Sequence, residues 1–246
     1  MLHLDHLHLR FGALPVLEGF SMDLAAGERV ALLGPSGCGK SSVLRLVGGL
    51  LAPSGGRIAG LPLRTASVFQ QATLMPWATV RDNVALPLRL AGQTAATARA
   101  QAAGLLQRVG LQGFADALPH TLSGGMQMRA ALARAWVTDP ELLLLDEPFG
   151  ALDEQSREQL GQELLSWCAA RPALACILVT HSVFEAVALA DRVLVLSPRP
   201  ARVLLEIDVR AIRELAHQQA ANWTEQDAYF ALVRQAQQAL QRGMTA

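Results

Sequence analysis

Gly34, Pro35, Ser36, Gly37, Cys38, Gly39, Lys40 and Ser41 form a Gly-x4-Gly-Lys-Ser run directly behind the apolar stretch Glu28 to Leu33. Glycines in such a turn let backbone N–H groups wrap a phosphate chain, and a helix opening behind them adds its positive dipole end. In that setting Lys40 holds the β and γ phosphates of a nucleotide, Ser41 offers its hydroxyl to Mg2+, and Ser42 adds a hydrogen bond deeper in the cradle. Lys40 is also the one lysine among 21 basic residues. A compact ammonium on a flexible stem suits that position, where a planar guanidinium does not. The alternative is a structural glycine turn, and the strand-turn-helix setting counts against it.

A second group complements the first. Leu142 to Leu145 is an apolar run ending in Asp146-Glu147. A carboxylate at the end of a buried strand is placed to hold Mg2+ through water, which is the role expected of Asp146. Glu147 is then the general base that polarises an attacking water, since an anion beside the γ phosphate can accept a proton as the new bond forms. Taken alone, the two acids could equally cap the next element.

The elements that must position these groups are legible as apolar runs of strand length at Glu28 to Leu33, Ala66 to Phe69, Leu142 to Leu145, Cys176 to Val179 and Val193 to Leu196. Runs apolar throughout suit parallel strands covered on both faces, and the spacing leaves room for crossover helices. The fold class expected is α/β. Leu2 to Leu9 and Val16 to Leu24 alternate instead, parted by Gly12 and Pro15, and predict an antiparallel β layer. The Ala- and Leu-rich stretch from Gln71 to Pro140 predicts an inserted helical region, with an exposed helix over Ala95 to Val109 and another over Met126 to Val137. Near the end, Thr224 is placed to cap a helix with Asp227 three positions on, and Tyr229, Leu232, Val233, Ala236 and Leu240 recur on one face. The expected organisation is a single domain: a β region over 1–27, a core over 28–71 and 138–210, a helical subdomain over 72–137 and a helical tail over 211–246.

Composition bounds the class. Across 246 residues, 21 Lys and Arg balance 21 Asp and Glu, so no basic field exists to hold nucleic acid. At 51% hydrophobic and 17% charged, the chain can bury a substantial core. No apolar run approaches the roughly 18 residues of a membrane helix, and the first ten residues lack the pattern of a secretory signal. Cys38, Cys168 and Cys176 are scattered and match neither a zinc site nor a disulfide framework, which fits a reducing compartment. Along an alternating strand His3 would face opposite His6 and His8, a poor three-ligand geometry. Cys38, inside the loop, predicts that a thiol reagent blocks nucleotide binding and that nucleotide protects.

Phosphate loops also occur in guanine-nucleotide switches, small-molecule kinases and RecA-type motors. The switches resemble one another in an Asn-Lys-x-Asp motif, which a chain whose one lysine lies in the phosphate loop cannot contain. Leu122-Ser123-Gly124-Gly125-Met126-Gln127 has no use in the other two classes. With it, the chain resembles the ATP-binding subunit of an ABC transporter from about Leu2 to Glu206. Ser123, Gly124 and Gly125 open a helix and so present free N–H groups to a γ phosphate.

The resemblance implies a P-loop NTPase core of RecA-like type, with ATP and Mg2+ as ligands and a homodimer in which Ser123, Gly124, Gly125 and Gln127 act in trans. Phe11 sits where the family stacks an aromatic on adenine, with a core strand position as the alternative. Gln70 matches the glutamine near Mg2+ and the attacking water; the neighbouring Gln71 fits the apolar-Phe-Gln pattern less well. Asp153, in Gly150-Ala-Leu-Asp153, matches a loop that crosses the dimer interface, and His181 the switch histidine at the γ phosphate. Two departures stand out: Ser182 where relatives often have Asp, and Met128 where a polar residue is usual.

The segments Gln71 to Asn83 and Ala190 to Pro200 are similar to importers for nitrate, aliphatic sulfonates and taurine, and share wording with those for thiamine-pyrimidine precursors. That likeness implies a peripheral subunit on the cytoplasmic face of the inner membrane, serving two integral-membrane permease subunits and an extracytoplasmic solute-binding protein. Trp77 is then a contact for a coupling helix, or else simple packing. Ser197 to Arg202 reads as a turn and strand entry. A regulatory domain of the sugar-importer kind is not expected, and a soluble ABC protein of DNA repair or ribosome work is the competing class.

Overall fold

A computed structural model describes residues 1–150, 152–217 and 223–245. Ala151, within the expected interface loop, and residues 218–222 and 246 of the expected tail lie outside the described residues. The strands are β1 (Leu2–Phe11), β2 (Leu14–Leu24), β3 (Arg29–Leu33), β4 (Gly55–Ala59), β5 (Thr65–Val68), β6 (Leu142–Asp146), β7 (Ala175–Thr180), β8 (Arg192–Leu196) and β9 (Val203–Asp208). The helices are α1 (Lys40–Val47), α2 (Val80–Leu90), α3 (Ala95–Arg108), α4 (Gly124–Trp136), α5 (Glu154–Ala169), α6 (Val183–Leu189), α7 (Val209–His217) and α8 (Asp227–Thr245). They form two compact units, one of residues 1–63 with 167–246 and one of residues 64–166.

In the first unit β1 pairs antiparallel with β2, as the alternation predicts, and on its other side with β4. The Gly-Gly-Arg-Ile-Ala sequence of β4 carries no alternation that would announce a strand. Leu2, Leu4, Leu7 and Leu9 all point into the core although Leu4 and Leu7 are three apart. A bulge between them, with His6 at φ 45, inserts the extra residue that keeps the leucines on one face. The bulge corrects the expectation for the histidines: strict alternation does not hold across it, and His3, His6 and His8 are all exposed. His3 Nδ1 meets Asp23 Oδ1 and His6 Nδ1 meets Asp5 Oδ1, each at 2.7 Å. Among the described residues no group of three His, Cys, Asp or Glu could hold a metal ion.

The same unit holds β7, β3 and β8 as parallel neighbours, with β9 returning antiparallel along β8. Val30 to Leu33 of β3 are fully buried, as strands covered on both faces require. At the chain end, Tyr229, Leu232, Val233 and Ala236 of α8 are buried as their spacing predicts. Thr224 is not its cap: it lies in a short 3-10 turn, Trp223–Glu225, and the helix opens at Asp227.

The second unit pairs β5 and β6 in parallel and contains α2, α3 and α4. Each of these helices starts on a hydroxyl cap, with Thr79, Thr94 and Ser123 accepting from the backbone N–H three residues on. α3 is exposed on most of its surface and buries only Ala98, Ala102 and Leu106. No helix among the described residues is long and apolar enough to cross a membrane.

Candidate functional site

The phosphate-loop sequence folds as its spacing predicts, between β3 and α1 in the first unit. Lys40 is buried, and its ammonium donates to the carbonyls of Gly34 and Pro35 at 2.8 and 2.9 Å. Gly37 and Gly39 take φ values of 75° and 127°, a region that disfavours any residue with a β-carbon. A β-carbon at Gly39 would also lie 3.1 Å from the side chains of Val16 and Leu17, so β2 backs the loop closely.

Cys38 requires a correction. It is 2% exposed, and its Sγ lies 3.0 Å from where a β-carbon on Gly34 would stand. The thiol is turned into the body of the unit, and a reagent reaches it only if the loop opens. What cysteine 38 brings to the loop surface is backbone.

Arg199 is a neighbour of the loop that the spacing did not announce. The Ser197 to Arg202 turn carries it so that its Nη2 lies 3.0 Å from a β-carbon position on Gly37. The turn is held by Ser197, whose Oγ donates to the carbonyl of Pro200 at 3.1 Å and accepts from the N–H of Arg202 at 3.0 Å.

Phe11 ends β1 and is 50% exposed, which excludes the core alternative and leaves its ring open to a ligand. His181 follows β7 and is exposed. Its turn is tightly tied: Thr180 Oγ1 donates to Glu185 Oε2 at 2.5 Å and accepts from the N–H of Ser182 at 3.0 Å. Ser182 caps α6 by accepting from the N–H of Glu185 at 3.3 Å. An aspartate would cap in the same way, so this departure from the family pattern keeps the local geometry.

In the second unit β6 delivers Asp146 and Glu147, both half-buried. Glu147 has φ 47, a left-handed conformation that costs a non-glycine residue on the order of 1–3 kcal/mol. The chain turns sharply there, with Gly150 donating its N–H to the Glu147 carbonyl at 3.1 Å. Gln70 Nε2 donates to Glu147 Oε2 at 3.2 Å. The structure thus brings Gln70, two residues past the end of β5, onto the expected base.

Ser123 caps α4 with its Oγ on the N–H of Met126 at 3.3 Å, and a β-carbon on Gly124 would meet nothing within 4 Å. The opening is bare backbone at Gly124, whereas a β-carbon on Gly125 would lie 3.3 Å from Leu152 Cδ2. Gln127 faces inward, its amide donating to the carbonyls of Pro119 and Leu122 at 3.1 and 3.2 Å, which shapes the loop ahead of the helix. Met128 is 3% exposed, and its burial explains why an apolar residue serves there. Asp153 caps α5: its carboxylate accepts from the N–H and hydroxyl of Ser156 at 2.9 and 2.7 Å. Those bonds, the backbone one first, hold its carboxyl below the usual value.

The segment between Gln70 and α2 is anchored by residues that spacing did not reveal. Asn83 is fully buried, accepts from the N–H of Met75 at 2.7 Å and donates to the carbonyls of Met75, Ala78 and Thr79. That frame leaves Trp77 78% exposed, so simple packing is not its role. Ser41, Asp146 and the amide oxygen of Gln70 are hard oxygen donors, the chemistry that Mg2+ selects.

Residues 17–150 match the family model described as ABC transporter. The chain is 42% identical to the taurine import ATP-binding protein of Rhizobium johnstonii, over 96% of this chain and 94% of that one. It is 46% identical to an aliphatic sulfonates import ATP-binding protein of Pseudomonas syringae pv. syringae, over 82% of this chain and 83% of that one. Among solved structures it is similar to a dimeric ATP-binding cassette in a post-hydrolysis state bound to ADP and Pi. That likeness has a TM-score of 0.76 at 29% identity, covering 85% of this chain and 99% of the other.

Proposed function

The chain belongs to the ABC transporter family as an ATP-binding, ATP-hydrolysing cassette, and from that premise we propose that it powers an importer for a small sulfonate-type solute. The names of the taurine and sulfonate relatives support this solute class. In this reading the chain sits peripherally on the cytoplasmic face of the membrane as a homodimer, below two permease subunits that receive solute from an external binding protein. Trp77 and the segment framed by Asn83 meet the permease.

The observation that carries the catalytic part is the contact of Gln70 with Glu147 at the end of β6. Lys40 exchanges its bonds to Gly34 and Pro35 for the β and γ phosphates, while Phe11 stacks on the adenine. Backbone N–H groups of Gly37, Cys38, Gly39, Lys40, Ser41 and Ser42 surround the phosphates. Ser41, Asp146 and Gln70 would hold Mg2+, which when bound neutralises phosphate charge. Glu147 accepts a proton from the attacking water as the water oxygen bonds to the γ phosphorus and the bond from that phosphorus to the β–γ bridging oxygen breaks, leaving ADP and inorganic phosphate; Gln70 orients that water, and His181 contacts the γ phosphate. Ser123, Gly124 and Gly125 of a second copy donate N–H groups to the same phosphate, and Asp153 lies at the contact of the two copies.

Affinity purification of the tagged chain from gently solubilised host membranes tests the assignment. A co-eluting permease whose complex hydrolyses ATP faster with taurine or an alkyl sulfonate than with nitrate supports it. Recovery with ribosomal or DNA-repair partners sinks the transport role and leaves the ATPase standing.

A further inference from the structure

Arg134 carries an arrangement that none of the catalytic roles explains. It lies in the last turn of α4, half-buried, and among the described residues no carboxylate pairs with it. Its Nη1 donates to the Thr73 carbonyl at 2.8 Å, and its Nη2 donates to the Ala72 carbonyl at 2.9 Å and to Thr73 Oγ1 at 3.0 Å. Burial without a counter-charge draws its guanidinium below the ordinary value, a cost that an arginine reaching into water at a helix end avoids. In return the planar fork grips two consecutive carbonyls, a geometry that a lysine cannot reproduce. Thr73 is itself left-handed at φ 45, so the gripped segment is held against its own preference.

The gripped residues follow Gln70 by two and three positions, and Gln70 reaches Glu147. At the other end of the same helix stand Ser123, Gly124 and Gly125, roughly 15 Å from Arg134 along the axis. Beyond Thr73 the chain passes to a separate anchor, because Asn83 of α2 holds Met75, Ala78 and Thr79. Only Leu74 lies between the two clamps. A displacement that starts around Trp77, or at the opening of α4, therefore reaches Gln70 through the residues that Arg134 holds.

We propose that Arg134 is a positioning residue that binds the Ser123 helix and the segment following Gln70 into one moving body, so that movement of either end sets the distance from Gln70 to Glu147. The inference deepens the proposed function and rests on the roles given there to Gln70, Glu147 and Ser123.

A double-mutant cycle on the full chain tests it, with steady-state ATP hydrolysis, nucleotide affinity and thermal melting measured for wild type, Arg134→Gln, Gln70→Ala and the double variant. Arg134→Gln is expected to lose about ten-fold in kcat with little change in KM for ATP, because the misplacement lies at the reacting centre and not in ground-state binding. The double variant is expected to be no slower than Gln70→Ala, since the grip acts only through Gln70. Arg134→Lys keeps the charge but not the fork and is expected to recover only part of the loss; if Arg134→Gln does not fold, the cycle is run with Arg134→Lys. Losses that multiply in the double variant, or an unchanged kcat in a folded Arg134→Gln protein, overturn the proposal and leave the site reading intact. Wild-type turnover in Gln70→Ala refutes the site reading, and the proposal with it.

Discussion

The buried carboxylate of Asp191 takes both Nε and Nη2 of Arg29, at 3.1 and 2.6 Å, and so fastens the start of β3 to the start of β8. Arg210 reaches the same carboxylate at 2.9 Å, and Arg213 also bonds it, so α7 is tied to the same point. One anion serves three cations.

Replacing Asp191 by Asn is expected to destabilise the protein by about 3–5 kcal/mol, because it leaves buried guanidinium groups without their counter-charge. Burial by itself would raise the Asp191 carboxyl pKa, but the hydrogen bonds of Arg29 and then Arg210 outweigh it and hold the group well below the usual carboxylate range. A folded pKa below the unfolded one means that this stability is present above about pH 4 and is lost as the pH falls from there. Acid unfolding followed by circular dichroism checks both points: the Asn variant should be less stable at neutral pH and should show a shallower loss on acidification.

Glu147→Gln is expected to retain ATP binding and to lose about 10²- to 10⁴-fold in turnover, the range of a removed general base. ATP should then accumulate in a closed dimer, visible by gel filtration. Lys40→Ala should abolish nucleotide binding with the fold intact. Persistent turnover in the Gln variant would remove Glu147 from the base role.

Ser182 offers a test of whether a departure from the family pattern is functional or merely interchangeable. Ser182→Asp should melt within a degree or two of wild type and keep its ATPase activity, since aspartate caps α6 as well. Ser182→Ala should lose about 1 kcal/mol, as an N-cap deletion does. Loss of turnover in the aspartate variant would show that the hydroxyl itself is needed.

Tyr229 ties α8 to α6 by donating its hydroxyl to the Phe184 carbonyl at 3.1 Å. Burial pushes its pKa up to about 12. The unfolded phenol ionises near pH 10, so the Tyr229 contribution is intact below that value and drains away as the pH rises toward the folded pKa. Tyr229→Phe should cost about 1 kcal/mol at neutral pH and flatten the alkaline limb of the stability profile, measured by urea denaturation.

What could be read in the sequence was what chain neighbours determine. The phosphate loop, the Asp146-Glu147 strand end and the capped opening of α4 each announce themselves within a few residues. Contacts made over long separations were silent: Arg134 lies 61 residues from Thr73, and nothing in an Ala-Arg-Ala-Trp helix end distinguishes a gripping arginine from a solvated one. β4 was missed because its partner, not its composition, makes it a strand. The histidine geometry failed at one residue, since a bulge at His6 shifts every later side chain of β1 and no local signal marks it. α2 was not legible as a separate helix, since Pro87 in its interior obscures the pattern.

The bonds from Lys40 to Gly34 and Pro35 bear on selectivity. Because the loop already solvates its own cation, ligand capture there is an exchange reaction: a newcomer must offer more than the two carbonyls it displaces. A single phosphate group competes poorly with a preformed pair, whereas a polyphosphate tail delivers anionic oxygens from several groups at once. The resting loop is therefore expected to take mono-phosphorylated nucleotides more weakly than polyphosphorylated ones, before any part of the base or the sugar has been recognised.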